Sequence, residues 1–359
     1  MTIYALSTGP GISGIAVIRV SGKKTGDVIK KITRNKLPNP REATRRKFNY
    51  INTNELIDEG VLLWFPGPNS YTGEDLAEFH VHGSRAVINA LHKTLSQIKN
   101  CRLAEPGEFT KRAHSVRVDS ENFYWFVDDG NHTVSKYNSK GERLLTIGIP
   151  NKPSKLHSGI PFNRCTDIAV DYRNGALFIS DGYGNSSVHK YTLDGELISS
   201  WGAPGTDPGH FNIVHNITMD DSGLLYVADR ENHRVQIFNQ DGKFINQIVN
   251  MHRPCTVTIF DSKLYVGELG YGLPVSKDVP NIGPRISLYS LNGELIDRWG
   301  EGFGYGEKQL MAPHGLTVDS DYNIYLAEVC VAVLGSLGLE VPHYNGTVYN
   351  GLRKLEKVN

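Results

Sequence analysis

At 359 residues, with 39% hydrophobic and 21% charged residues, the chain is long enough for two or three domains and ordinary in composition for a globular protein. Its 38 basic residues balance 38 acidic ones, which excludes a global field for nucleic acid or anionic membrane and confines any such binding to a local patch. No apolar run approaches the ~18 residues of a membrane span, and the first residues lack the basic and apolar regions of a signal peptide. The expectation is a cytoplasmic protein that engages no membrane, with Cys101, Cys165, Cys255 and Cys330 reduced.

In chain order, IAVIRVSG (15–22) reads as a strand, GDVIKKIT (26–33) as the start of a helix, and DEGVLLWFP (58–66) as a second strand. RAVINALHKTLSQI (85–98) carries apolar residues at helical spacing. Residues 1–113 are therefore expected to form an α+β domain. SGKKT (21–25) looks like the end of a P-loop, but Gly-x-x-x-x-Gly-Lys-Ser/Thr fails at Val17 and Lys24, so no nucleotide site is expected there. EPGEFTKRA (105–113) reads as a charged loop entering a helix, and from His114 the pattern switches to strand, turn and strand.

Three stretches of this first part, GISGIAVIRVSG, WFPGPNSYTGEDLAEFHVHG and RLAEPGEFTKRA, together resemble the N-terminal domain of the tRNA-modification GTPase family MnmE/TrmE. The resemblance implies a homodimer formed through this domain and a 5-formyltetrahydrofolate site contacted by Arg19 and Glu78. A guanidinium suits the glutamate tail of a folate, and a carboxylate suits the N–H donors of a pterin edge. Read from the residues alone, Arg19 and Glu78 are equally half-buried partners or surface charges. The family's helical and GTPase domains, its C-terminal cysteine motif and two folate-contacting residues have no counterpart in this sequence. The resemblance thus implies a weakened folate site, no GTPase activity, and a tRNA role that is at most indirect.

From His114 onward five units recur, opening HSVRVDSENFYWFVDD, TDIAVDYRNGALFISD, HNITMDDSGLLYVAD, CTVTIFDSKLYVGE and HGLTVDSDYNIYLAE. Each has a short apolar strand, an Asp/Asn/Gly turn and an aromatic strand ending in Asp or Glu, and Trp201–Gly202 and Trp299–Gly300 close two of them. A period of roughly 40–50 residues with several short strands predicts an all-β propeller. Residues 114–359 resemble the NHL-repeat family, with five recognisable units of an expected six. A missing blade would leave two unpaired sheet edges and an unclosed channel. The C-terminal stretch from Cys330 reads as a long loop and a final strand, LRKLEKV (352–358).

His114, His215 and His314 each stand five residues before the aspartate that closes the first strand of units one, three and five (Asp119, Asp220 and Asp319). One channel histidine reads as structural. Three at one register in alternate blades of a six-bladed ring predict a three-histidine site with an open fourth position, the arrangement of catalytic zinc.

ISDGYGNSS and VADRENHRVQIF, with VHNI and APHGL, make these units similar to peptidyl-α-hydroxyglycine α-amidating lyase, which cleaves a hydroxyglycine-ended peptide to a peptide amide and glyoxylate. The resemblance implies Zn2+ on His114, His215 and His314, Tyr183 as the base or alkoxide-side residue, and Arg230 as the clamp for the substrate carboxylate. Without it, Tyr183 reads as a packed strand-end tyrosine and Arg230 as the partner of Glu231 or Asp229. The sequence departs from the family at Gly184, Ala312 and Gly315, and lacks the blade that carries a further arginine. A non-enzymatic scaffold holding a peptide or small molecule at the channel is the alternative, and a one-carbon or tRNA-modification role through the first domain is the third reading. Two truncated modules meeting at Ala113/His114 without a linker point to a gene fusion or an assembly chimera.

Overall fold

The computed structural model describes residues 1–8, 13–68, 70, 72–104, 112–139, 143–272, 274–276, 279–304, 306–330, 343–344, 347–348 and 351–356. Two compact units divide the chain, 1–111 and 112–359.

Strict alternation builds the first unit. In β2 (Ser13–Ser21), Ala16, Ile18 and Val20 point into a core while Val17 and Arg19 point to the opposite face. With β1 (Thr2–Leu6), β3 (Thr44–Asn49), β4 (Leu56–Phe65), β5 (Leu76–Gly83) and β6 (Cys101–Leu103) it forms a six-stranded sheet in the order β3-β4-β5-β2-β1-β6. Among the described strands of this sheet only β1 and β6 pair in parallel. Helices α1 (Thr25–Thr33) and α2 (Arg85–Ser96) cover the apolar face with Val28, Ile29 and Ile32, and with Ile88, Leu91 and Leu95. The Ser84 hydroxyl caps α2 by accepting the Val87 N–H at 3.2 Å. The strands and helices read from the sequence over residues 15–98 are all present. β1, β3, β5 and β6 are additions, and the helix expected within 105–113 lies largely outside the described residues.

The second unit is a series of antiparallel sheets. The first comprises β7 (Ala113–Val118), β8 (Tyr124–Asp128), β9 (Thr133–Tyr137) and β10 (Arg143–Ile147). The second comprises β11 (Cys165–Asp171), β12 (Ala176–Asp181), β13 (Ser187–Thr192) and β14 (Leu197–Trp201). The third holds β15 (Val214–Met219), β16 (Leu225–Asp229), β17 (Arg234–Phe238) and β18 (Phe244–Ile248). The fourth holds β19 (Pro254–Phe260), β20 (Lys263–Glu268), β21 (Arg285–Ser290) and β22 (Leu295–Trp299). In the fifth, β23 (Pro313–Val318) and β24 (Ile324–Glu328) pair with the late strand β27 (Leu352–Leu355), and β25 (His343–Tyr344) and β26 (Thr347–Val348) form a separate hairpin. Strand β7 begins at Ala113, one residue before the expected start of the propeller.

The repeated acidic residues are structural. The carboxylate ending each second strand accepts a backbone N–H from the loop entering its own sheet: Asn163 to Asp181, Asn212 to Asp229, His252 to Glu268 and Met311 to Glu328. The aspartates of the first turns do the same locally, Asp119 with Phe123, Asp220 with Leu224 and Asp319 with Asn323. Gly202 turns the chain after Trp201 at φ +98°, where a Cβ would sit 2.6 Å from the Ser186 carbonyl oxygen.

Cores form between successive sheets, as where Trp125, Val127 and Val134 of the first meet Ile168, Leu177 and Ile179 of the second. The exposure of one register differs between the first sheet and the others. Ile168, Ile217, Val257 and Leu316 are 0–5% exposed under the preceding sheet, whereas their counterpart Val116 is 56% exposed. Among the described residues no helix is long and apolar enough to cross a membrane.

Candidate metal centre

Each innermost strand carries a bulge at the same register. Pairing slips between Ala113 and Ser115, Cys165 and Asp167, Val214 and Asn216, Pro254 and Thr256, and Pro313 and Gly315. The bulged residues are His114, Thr166, His215, Cys255 and His314. A bulge re-aims its side chain, and here three of the five are imidazoles whose ring centroids lie 4.7–4.8 Å apart. Their donor atoms all fall within 4.8 Å of one another, the one such group found among the described residues.

The tautomers follow from the partners. His114 Nδ1 lies 2.6 Å from the Thr166 carbonyl oxygen, and His215 Nδ1 lies 2.7 Å from that of Cys255. A carbonyl only accepts, so both rings donate from Nδ1 and present the Nε2 lone pair. Each acceptor is the bulged residue of the next sheet. His314, on the fifth sheet, has no described sixth sheet beside it to offer the same carbonyl. Burial is the largest cause holding the rings neutral, bringing His114 down to about 4 and His314 to about 3 and pushing His215 well below its ordinary value; neighbouring imidazoles and Arg230 add to it.

Neutral rings are what metal ligation requires, and in His114 and His215 the second nitrogen is also anchored on a backbone carbonyl. Zinc–imidazole bonds are about 2.0–2.1 Å, so two nitrogens on one ion are at most about 4.2 Å apart. In a tetrahedral site they lie about 3.4 Å apart, so a pair at the 4.8 Å limit would close by about 1.4 Å through rotation of the rings.

Tyr183 leans over the cluster. Its hydroxyl is 2.9 Å from His215 Nε2, 3.3 Å from His114 Nε2, and accepts from Arg230 Nη1 at 3.4 Å. Burial pushes this phenol up to about 12, against the pull of Arg230. Arg230 also donates to Glu231 at 2.8 Å, while Asp229 is taken by Arg234. The tyrosine packed at a strand end and the ion-paired arginine are therefore the same residues as the two candidates beside the histidines.

A cavity of about 510 Å³ opens on the site, lined among others by Arg112, His114, Tyr183, Arg230, Arg253 and His314. A larger cleft of about 840 Å³ runs along Tyr265, Trp299 and Leu355, but charges of both signs border it and no donor set converges there. Chemistry rather than volume selects the smaller one.

Sequence reasoning missed a ring of arginines. Arg112, Arg164 and Arg253 each stand two residues before a bulged position, a pattern visible as RAH, RCT and RPC. Arg112 and Arg164 share Asp129, and Arg253 and Arg230 share Glu231. Of the family departures, Gly184 tolerates no side chain, because a Cβ there would lie 2.1 Å from Asn163 Oδ1. Met311 is buried and still lines the cavity. In the first unit Arg19 and Glu78 are register partners on β2 and β5, joined at 2.8 Å, with His80 Nε2 3.0 Å from the same carboxylate. These contacts hold the Glu78 carboxyl below its usual value although burial, the largest influence, acts the other way.

Residues 2–116 match the family described as "GTP-binding protein TrmE N-terminus", and residues 211–238 match the NHL repeat. The tRNA modification GTPase MnmE of Pelagibacter ubique is 74% identical over 113 residues, 32% of this chain and 26% of that protein. The MnmE of Rhodopseudomonas palustris is 56% identical over 111 residues, 31% and 25% of the two chains. The chain thus spans about a quarter of the length of the curated relatives it matches. Among solved structures, a catalytically inactive virginiamycin B lyase from Staphylococcus aureus with quinupristin is 11% identical, with a TM-score of 0.44, over 91% of this chain and 82% of that one. The chain joins a TrmE-type N-terminal unit to an NHL-repeat β-propeller.

Proposed function

We propose that residues 112–359 form a zinc-dependent lyase of the amidating type, acting on peptides that end in α-hydroxyglycine. The observation that carries this reading is the convergence of His114, His215 and His314 as neutral imidazoles, two of them tied through Nδ1 to carbonyls. These three residues would hold the ion, which when bound supplies a Lewis acid for an oxygen of the substrate.

The chain's own groups account for the rest. Arg230, buried beside Tyr183, offers a guanidinium to the substrate carboxylate. Tyr183 is within hydrogen-bond reach of two imidazoles and Arg230, where it can exchange a proton with the α-hydroxyl. Loss of the hydroxyl proton, breakage of the C–N bond and protonation of the departing nitrogen yield a peptide amide and glyoxylate, with no redox change.

Elemental analysis of the purified chain tests the first half: about one zinc per chain is expected, and none in His314→Ala. Glyoxylate release from a hydroxyglycine peptide tests the second. A zinc-loaded chain that releases none is a binding scaffold instead.

A second reading concerns the first unit, and its support is the 74% identity to an MnmE N-terminal segment. On that reading Arg19 and Glu78 contact 5-formyltetrahydrofolate in a homodimer. Calorimetry with the folate, and its loss in Arg19→Ala, is the test; absence of heat in the unaltered chain removes it.

A further inference from the structure

Two arginine pairs flank the candidate metal centre, one on each carboxylate. Arg230 and Arg253 converge on Glu231, and all three side-chain nitrogens of Arg253 donate, Nη1 to the Tyr271 carbonyl. Arg112 and Arg164 converge on Asp129, which is fully buried. Each cluster has two guanidiniums for one carboxylate. Asp128, the nearest further acid, is engaged by the backbone N–H of Arg112 and by Asn131. Tyr183 lies between the clusters: the guanidinium carbons of Arg112, Arg164 and Arg230 are 5.7, 4.4 and 5.5 Å from its ring centroid. Arg112 spends Nε and Nη2 on Asp129, which leaves Nη1, and its side chain is 55% exposed at the cavity wall.

We propose that Arg112 is a second carboxylate anchor of this pocket, making it selective for peptide ends with an acidic residue just before the terminal one. The terminal carboxylate lies at Arg230 and the acidic side chain at Arg112. The two guanidinium carbons, 5.7 and 5.5 Å from one ring centroid, are at most about 11 Å apart, and two residues of extended chain span about 7 Å before the reach of the acidic side chain is added. Arg112 falls within the segment that matches the TrmE N-terminal family, yet it takes the same register as Arg164 and Arg253 before a bulged residue. This inference rests on the lyase reading for the kind of ligand, but the anchor itself is testable without metal or turnover.

The test is calorimetry on the full, chelator-dialysed chain with acetyl-Glu-Gly and acetyl-Gln-Gly, isosteric probes that differ by one charge and carry no cleavable hydroxyl. One added charge-assisted hydrogen bond corresponds to about a tenfold tighter Kd for the glutamyl peptide. Arg112→Gln is expected to erase that preference while the glutaminyl peptide binds as before. Arg112→Lys, which keeps the charge but not the fork, is expected to keep part of it and decides the matter should Arg112→Gln fold poorly. Equal affinities in the unaltered chain, no binding of either peptide, or a preference that survives Arg112→Gln overturns the proposal. Failure of the lyase reading looks different: a zinc-loaded chain releases no glyoxylate while the preference for the glutamyl peptide persists.

Discussion

Directly after the bulged residues lies a second layer of channel side chains, and removing its centre is the sharpest test of how the histidine strands are held. Asp167, fully buried on β11, receives Arg117 of β7 through Nε at 3.0 Å and through Nη2, and also the Ile217 N–H of β15 at 3.3 Å. Arg117 Nη2 continues to Asn216 Oδ1 at 3.0 Å, which accepts the Val257 N–H of β19 at 2.7 Å. Four inner strands are tied by one network. Burial alone would lower the Arg117 pKa, and Asp167 more than offsets it, holding it above its ordinary value. Asp167→Ala leaves this guanidinium, 25% exposed, without its carboxylate, which costs about 3 kcal/mol, a large part of the roughly 5–15 kcal/mol that a domain has. In urea unfolding followed by tryptophan fluorescence, with Trp125 buried in the first sheet as a reporter, the propeller midpoint should fall by more than about 1 M at an m of ~2–3 kcal/mol/M. Replacing both partners by apolar residues, Arg117→Met with Asp167→Leu, should recover at least half of the loss, since no charge is stranded. A loss below about 1 kcal/mol for Asp167→Ala would refute the reasoning, because Arg117 would then be finding water and the layer would not tie the strands.

Four further outcomes are expected. Ile217→Ala should cost about 2–5 kcal/mol and Val116→Ala, at the same register but uncovered, under about 1 kcal/mol; equal costs in chemical unfolding would mean that Val116 is covered in solution. Gly184→Cys should destabilise the second unit by about 1–3 kcal/mol, because the space for a Cβ is filled by Asn163, and an unchanged melting temperature would contradict that packing. For the metal-free chain, unfolded histidine takes up a proton near pH 6.5, whereas folded His114 and His314 do so only at about 4 and about 3. Their contribution is therefore present above about 6.5 and lost as pH falls toward 4. The melting temperature should drop across that window, and drop less steeply in the double variant His114→Gln/His314→Gln, which keeps His215; a flat profile in the unaltered chain would count against buried neutral rings. Glu78→Gln in the first unit should change stability by less than about 1 kcal/mol, since Arg19 is one-third exposed; a larger loss in chemical unfolding would show the pair to be structural.

Much of the architecture was legible because it is written in local periodicities. Alternation in IAVIRVSG marks β2, and the apolar spacing of Ile88, Leu91 and Leu95 marks α2, since both patterns report which side chains share a face. The repeated Asp-turn and acidic strand end mark the sheets because each carboxylate satisfies a backbone N–H near it in sequence. The equal register of His114, His215 and His314 was legible for the same reason: equal position in a repeat becomes equal height in a channel.

What only the tertiary structure decided lies between repeats. That the bulge turns every first residue inward, and that Thr166 and Cys255 serve as backbone acceptors for the histidine of the preceding sheet, depend on which sheets stand side by side. The grouping of Arg112 with Arg164 on one carboxylate, and of Arg230 with Arg253 on another, joins residues tens of positions apart, which no spacing rule connects. By itself the sequence determined the elements, their faces and the register of the histidines, because these follow from bonds and side-chain directions a few residues long. The fold determined which charges meet and which face of the first sheet stays open, because those depend on through-space packing and burial that the local pattern does not carry.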